Sequence, residues 1–139
     1  MISHHGLLGA LTTVLKDDFE RKSGMAAESF GKFQWELEKH IFGEEAILFK
    51  LCKKENLEDC QLVIELEKGH TAMLKMLENI KNGSVTNAWA EDIDRFQKFH
   101  SKHMEREEKE LYPKLDFELS AAEKEEVISK INEILIKKY

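Results

Sequence analysis

Proline occurs once in 139 residues and cysteine twice, and no apolar run approaches the roughly 20 residues that a bilayer-spanning helix needs. With so little proline, long helices can run uninterrupted. No Gly/Ser-rich linker or low-complexity tract divides the chain, so residues 1–139 read as one domain around one modest core. Cys52 and Cys60 are too few for a disulfide framework and read as reduced thiols. The N-terminal Met1-Ile2-Ser3-His4-His5 has neither a basic n-region nor an apolar h-region, so no export signal is visible and a cytoplasmic location is expected. Basic charge is also in short supply: 21 Lys and Arg stand against 27 Asp and Glu, a formal net charge of −6 at pH 7. Nucleic acid is therefore not expected as a partner, because neutralising phosphate takes a basic face, and no membrane partner is expected either.

What the chain does carry is helical periodicity. A first segment, about Ser3 to Phe19, has Leu8, Leu11 and Leu15 in phase, and Arg21-Lys22-Ser23-Gly24 breaks it. A second, about Ala26 to Lys54, places Phe30, Phe33, Leu37, Ile47, Leu48 and Leu51 on one face. After a connection near Glu55-Asn56, a third runs from about Leu57 to Lys81 with Leu62, Leu66, Met73, Leu77 and Ile80. Asn82-Gly83-Ser84 ends it. The fourth is expected to stop at Tyr112, before Pro113. Ser120 with Glu123 three residues on is a capping box opening a shorter fifth helix, whose apolar face is Val127, Ile131, Ile134 and Leu135. No segment alternates with period two. The expectation is an all-α fold, an antiparallel up-down four-helix bundle with a short fifth C-terminal helix.

Each long helix carries metal-ligand residue types on its own apolar stripe. His40 and Glu44 interrupt the second, His70 the third, and His100, His103 and Glu107 the fourth. In the first, His4 is in phase with Leu8, Leu11 and Leu15, whereas His5 aligns with Leu8, Thr12 and Leu15, a slightly poorer face. A carboxylate aimed into a helical core is costly unless a cation compensates its lost hydration. His40 with Glu44, and His103 with Glu107, are i,i+4 pairs about 5–6 Å apart at Cβ, a spacing that lets two side chains of one helix converge on a metal. The levels also agree. His40 and His70 are symmetric about residue 55, His70 and His100 about 85, and His4 and Glu44 about 24, each at or close to a break between helices.

There is an internal repeat as well. His40-Ile41-Phe42-Gly43-Glu44-Glu45 with Leu48-Phe49 matches His103-Met104-Glu105-Arg106-Glu107-Glu108 with Leu111-Tyr112, in the form H-x-x-x-E-E-x-x-L-aromatic. Two copies on alternate helices suggest pseudo-two-fold symmetry and two metals. Glu45 and Glu108 fall about 100° round the helix from the ligand face and read as solvated or as partners of the ligands.

In these residues the chain resembles the hemerythrin-like family, the HHE cation-binding domains. The likeness spans nearly the whole chain, and Leu111-Tyr112-Pro113 is similar to the family's aromatic-Pro ending. The resemblance implies His4, His40, His70 and His103 as imidazole ligands and Glu44 and Glu107 as carboxylates bridging two non-haem irons, with an oxo, hydroxo or water bridge between them. Two departures set the chain apart from the oxygen carriers of the family. Leu74 stands where they have a second third-helix His, and the second motif ends in Glu107, four residues after His103, where they use Asp at five. The stripe leaves His100 as a candidate fifth imidazole.

Imidazole with carboxylate ligation suits Fe, Mn or Zn. With bridging carboxylates and the resemblance, a redox-active iron pair is expected, its open position facing O2, NO or peroxide. Such a centre would bind or sense a diatomic gas, or report iron and redox state, passing its signal to a protein partner or through oligomerisation. The alternative is a di-iron enzyme acting in peroxide removal or iron–sulfur cluster repair. A ferritin-like site needs Glu-x-x-His twice, and Glu67-x-x-His70 supplies it once.

Overall fold

The helical periodicities resolve into five rods. A computed structural model describes residues 2–20, 26–50, 57–83 and 89–135. Helix α1 spans Ile2–Glu20. Helix α2, Ala26–Gly43, runs without a break into a π-helical segment, Glu44–Phe49. Helix α3 spans Leu57–Gly83. Helix α4, Trp89–Arg106, passes into a second π-helical segment, Glu107–Leu111, and on into α5, Tyr112–Glu118. Helix α6, Ala121–Leu135, is the last. The expected breaks at 21–24 and 55–56, Ser84, the end of the second helix at 51–54, and Cys52 lie outside the described residues.

The fold is an all-α up-down four-helix bundle with α6 on its outside. Helix α1 packs along α2 and α4, α3 along α4, and α6 against α2 and the first π-helical segment. Two apolar clusters fill it. One gathers Leu8, Leu15, Phe33, Leu37, Met73, Leu77, Ile80, Ile93 and Phe96. The other gathers Leu48, Phe49, Leu62, Val63, Leu66, Leu111, Leu115 and Ile131. Each such side chain, fully buried, contributes about 1.5–3 kcal/mol. Along α2, α3 and α4 the His and Glu positions fall between the residues of these two clusters, so the polar layer is clamped from both ends.

In α1 the buried stripe is Leu8, Thr12 and Leu15, with Leu11 only partly buried. Thr12 is accommodated because its hydroxyl donates to the Gly9 carbonyl at 2.7 Å, which leaves its methyl to face the core. That choice of face decides which of the two N-terminal histidines points furthest in.

The fourth helix does not stop at Pro113. The Tyr112 N–H bonds to the Glu107 carbonyl, five residues back. The helix restarts at Tyr112, so proline occupies one of its first positions, where a missing N–H costs nothing, and continues to Glu118. The extra residue per turn also changes which side chains face inward. In the first π-helical segment Glu44, Leu48 and Phe49 are all buried, and in the second Glu107 and Leu111. Helix α6 opens as its sequence predicts: the Ser120 N–H donates to Glu123 Oε1 at 3.1 Å and the Glu123 N–H to Ser120 Oγ at 3.2 Å. No helix among the described residues is long and apolar enough to cross a membrane.

Replacing Ser120 by Ala removes one arm of this box. It should cost about 1 kcal/mol by urea denaturation and speed amide exchange first in α6. Unchanged α6 protection would contradict the capping role.

Candidate metal centre

Six side chains from all four helices meet in the polar layer. His5, His40, Glu44 and Glu107 form one group of potential ligands, and Glu44, His70, His103 and Glu107 a second. Within each group the donor atoms all lie within 4.8 Å of one another. The two groups share both carboxylates. Glu44 Oε1 is 3.1 Å from His40 Nε2 and 3.2 Å from His70 Nε2, so one oxygen stands between the groups. Glu107 Oε1 does the same, 3.3 Å from His103 Nε2 and 3.7 Å from His5 Nε2.

These approaches are not hydrogen bonds. Glu44 Oε1, both oxygens of Glu107, and the Nε2 atoms of His70 and His103 are buried without a hydrogen-bond partner. Glu44 is 0% exposed and Glu107 1%. Leaving such atoms unpaired is costly. A cation among them satisfies them together, and imidazole nitrogen with carboxylate oxygen is a donor set that transition metals accept. The residues fit a metal.

The far side of the imidazoles decides which nitrogen offers its lone pair. A carboxylate only accepts, so His70 Nδ1 donates to Glu45 Oε1 at 3.0 Å and His5 Nδ1 to Glu108 Oε1 at 3.0 Å. Nε2 of both rings then turns its lone pair inward, that of His5 lying 2.9 Å from His40 Nε2. His40 is held through an intermediary. His4 Nε2 donates to Glu36 Oε2 at 3.0 Å, which makes His4 Nδ1 the acceptor for His40 Nδ1 at 2.8 Å. Lys39 in turn lies 3.2 Å from Glu36 Oε1.

Of the residues expected to ligate, the structure brings His40, Glu44, His70, His103 and Glu107 together, with His5 in the place expected for His4. His4 sits behind His40 and orients it. The physical reason is the buried stripe of α1, which runs through Leu8, Thr12 and Leu15 and so continues to His5. His100 is in neither group. It stacks on Phe96 (ring centroids 5.5 Å apart, 12° between planes) and meets Phe33 edge-on. Leu74 is on the outer face, 37% exposed, so a ligand at that position would point away from the layer.

The repeat now has a physical reading. In each copy the first Glu lies between the two groups and the second orients a histidine from another helix. The aromatic four residues after that second Glu then packs on the same ring: Phe49 stacks on His70 at 5.3 Å and 6°, and Tyr112 on His5 at 5.6 Å and 28°. The two aromatics differ by one hydroxyl. The Tyr112 hydroxyl donates to Glu44 Oε2 at 3.0 Å and lies 3.1 Å from His5 Nε2.

Gly69 is a further contributor. A Cβ there would stand 2.6 Å from His103 Nδ1 and 2.8 Å from its Cε1, so only glycine lets α3 come this close to the ring. A glycine inside a helix with no turn to make was the sequence signal for it.

Charge in the layer is finely opposed. Burial, and then the neighbouring His40, lower His5 to about 4, while burial and His70 lower His103 to about 3. Burial lowers His100 to about 4. Burial alone would also depress His70, but Glu44 and Glu45 outweigh it and raise its pKa. Burial works against ionised Glu44, yet His40 and His70 hold its carboxyl well below the usual range. The lowered pKa values of His5 and His103 and of Glu44 favour the neutral imidazole and ionised carboxylate that a cation requires.

Two predictions follow from this geometry. Gly69→Ala should push His103 aside and weaken cation binding in the His70–His103 group at least tenfold by calorimetric titration. Gly9→Ala, where a Cβ meets nothing within 4 Å, should leave binding unchanged. Equal binding in the Gly69 variant would contradict the placement of His103. The second concerns the metal-free protein. A histidine lowered on folding takes up its proton in the unfolded chain first, so its stability contribution is complete above its ordinary pKa of 6.5. That contribution is lost as pH falls towards the folded value. His4, His5, His100 and His103 act in this sense and His70 against it. The urea midpoint of metal-free protein should therefore fall between pH 6.5 and 4, and a constant or rising midpoint would be inconsistent.

No curated protein and no solved structure matches the chain significantly. The model of the hemerythrin HHE cation binding domain matches residues 2–115, which takes in all six clustered side chains. The chain belongs to the hemerythrin HHE cation-binding domain family.

Proposed function

We propose that this protein holds two non-haem irons and uses them to bind or sense a small diatomic ligand, O2 or NO, or to report iron and redox state. His5 and His40 would hold one iron, His70 and His103 the other, and Glu44 and Glu107 would span the two. The observation that carries this reading is that two groups of donor atoms share both carboxylates. A single ion would leave half of the inward nitrogens without a partner. When bound, the iron pair would supply reversible redox change and an open position for an exogenous ligand.

The chain's own residues supply the rest. Glu45, Glu108 and His4 present Nε2 of three ligands inward. The two apolar clusters keep bulk water from both ends of the layer, which conserves the field of the carboxylates. His100, buried and aromatic-stacked, lines the layer without ligating.

Aerobic loading should give two irons per chain by metal analysis, with near-ultraviolet and visible charge-transfer bands of a coupled ferric pair. Glu44→Ala and Glu107→Ala should each reduce the content below one. Glu45→Ala and Glu108→Ala should keep two at saturation with affinity weakened about 10–100-fold. Two irons retained in Glu44→Ala, or zinc alone after growth with iron, would overturn the assignment.

A further inference from the structure

The family match ends at residue 115, and α6 lies beyond it. This helix does not seal against the bundle. Between them is an open cleft of about 420 Å³ whose walls include Leu48, Tyr112, Leu115, Leu119, Val127 and Ile131. Among the described residues, the ionic groups lining it, Asp116 and Lys124, are paired with each other at 3.0 Å, so they offer no net charge to a ligand.

Tyr112 belongs to both the cleft and the metal centre. Its ring walls the cleft, and its hydroxyl reaches Glu44 Oε2 and stands beside His5 Nε2. Leu48, four residues after Glu44 on the same helix, lines the cleft next to it. The six clustered side chains are themselves buried, His103 being the most accessible of them at 8%. An exogenous ligand must nonetheless arrive from solvent. Small uncharged molecules partition onto apolar walls, where ions do not, and xenon is a probe for such space. One side chain separates the cleft from the donor atoms.

We propose that the cleft beneath α6 is a binding site for a small, uncharged, apolar molecule of the diatomic class, which passes from it to the metal centre by displacement of the Tyr112 ring. The destination rests on the function proposed above, whereas occupancy of the cleft does not. Helix α6, which lies beyond the matched residues, forms one wall of this antechamber. The Tyr112 hydroxyl, held by Glu44, keeps the ring closed between passages.

Xenon and nitric oxide test the two halves separately. In metal-free protein under xenon, the methyl signals of Leu115, Val127 and Ile131 should shift and saturate, while those of Leu77 and Ile80 in the distant cluster should not. Ile128→Trp alters a 57% exposed wall residue and puts an indole over the cleft, so the core is undisturbed. It should abolish the xenon shifts. In iron-loaded protein it should slow nitric oxide association and dissociation by the same factor, tenfold or more, with Kd unchanged, as a residue on a path does. Tyr112→Phe keeps the ring but frees it from Glu44, and association should quicken severalfold.

Absence of xenon shifts in the wild type would overturn the binding site. An unchanged association rate in Ile128→Trp, with the xenon shifts gone, would overturn the path. If the protein takes up no iron pair, metal analysis reports that failure of the proposed function on its own, and the xenon measurement still decides whether the cleft binds.

Discussion

Two carboxyl groups buried at the centre of a helical bundle are the constraint on which the rest of this structure depends. Glu44 and Glu107 have almost no contact with solvent, and three of their four oxygens find no hydrogen-bond donor. A buried carboxylate left without compensation costs several kcal/mol, a sizeable part of the stability of a domain this size. Four imidazole nitrogens converge on those oxygens at 3.1–3.7 Å without bonding to them. The arrangement is poor as a hydrogen-bond network and suitable as a ligand cage. The apolar clusters on either side are what hold it open for a cation instead of letting it relax.

Around this layer, the repeat is a compact instruction. Its His and first Glu supply donors, its second Glu and its aromatic residue grip a histidine of another helix, and the π-helical turn lets those residues and the following Leu face inward. Each half therefore orients part of the opposite half. That cross-bracing makes the two groups interdependent, and the oxygen distinguishing Tyr112 from Phe49 is one built-in asymmetry between them.

Much of this was legible in the sequence because the 3.6-residue period is unforgiving. His40, Glu44, His70, His103 and Glu107 could be seen on apolar stripes at matching heights, and the five helices followed from the same pattern. What was not legible turned on contacts between helices. Choosing between His4 and His5 required knowing that Thr12 satisfies its hydroxyl locally and so can face the core. The passage of the chain through Pro113 required the π-helical turn before it, which no simple periodicity announces. Glu45 and Glu108 lie off the ligand face of their own helices, and their importance shows only once His70 and His5 are seen beside them. Gly69 could be noticed as an oddity, but its reason is the ring of His103 on the neighbouring helix.

The claim on which everything else rests is that the shared carboxylates lie between two metal positions. A crystal of iron-loaded protein, measured on both sides of the iron absorption edge, tests it directly. The account predicts two anomalous peaks, one against His5 and His40 and one against His70 and His103, with Glu44 and Glu107 contacting both. One peak alone, or peaks that Glu44 and Glu107 do not share, would contradict it.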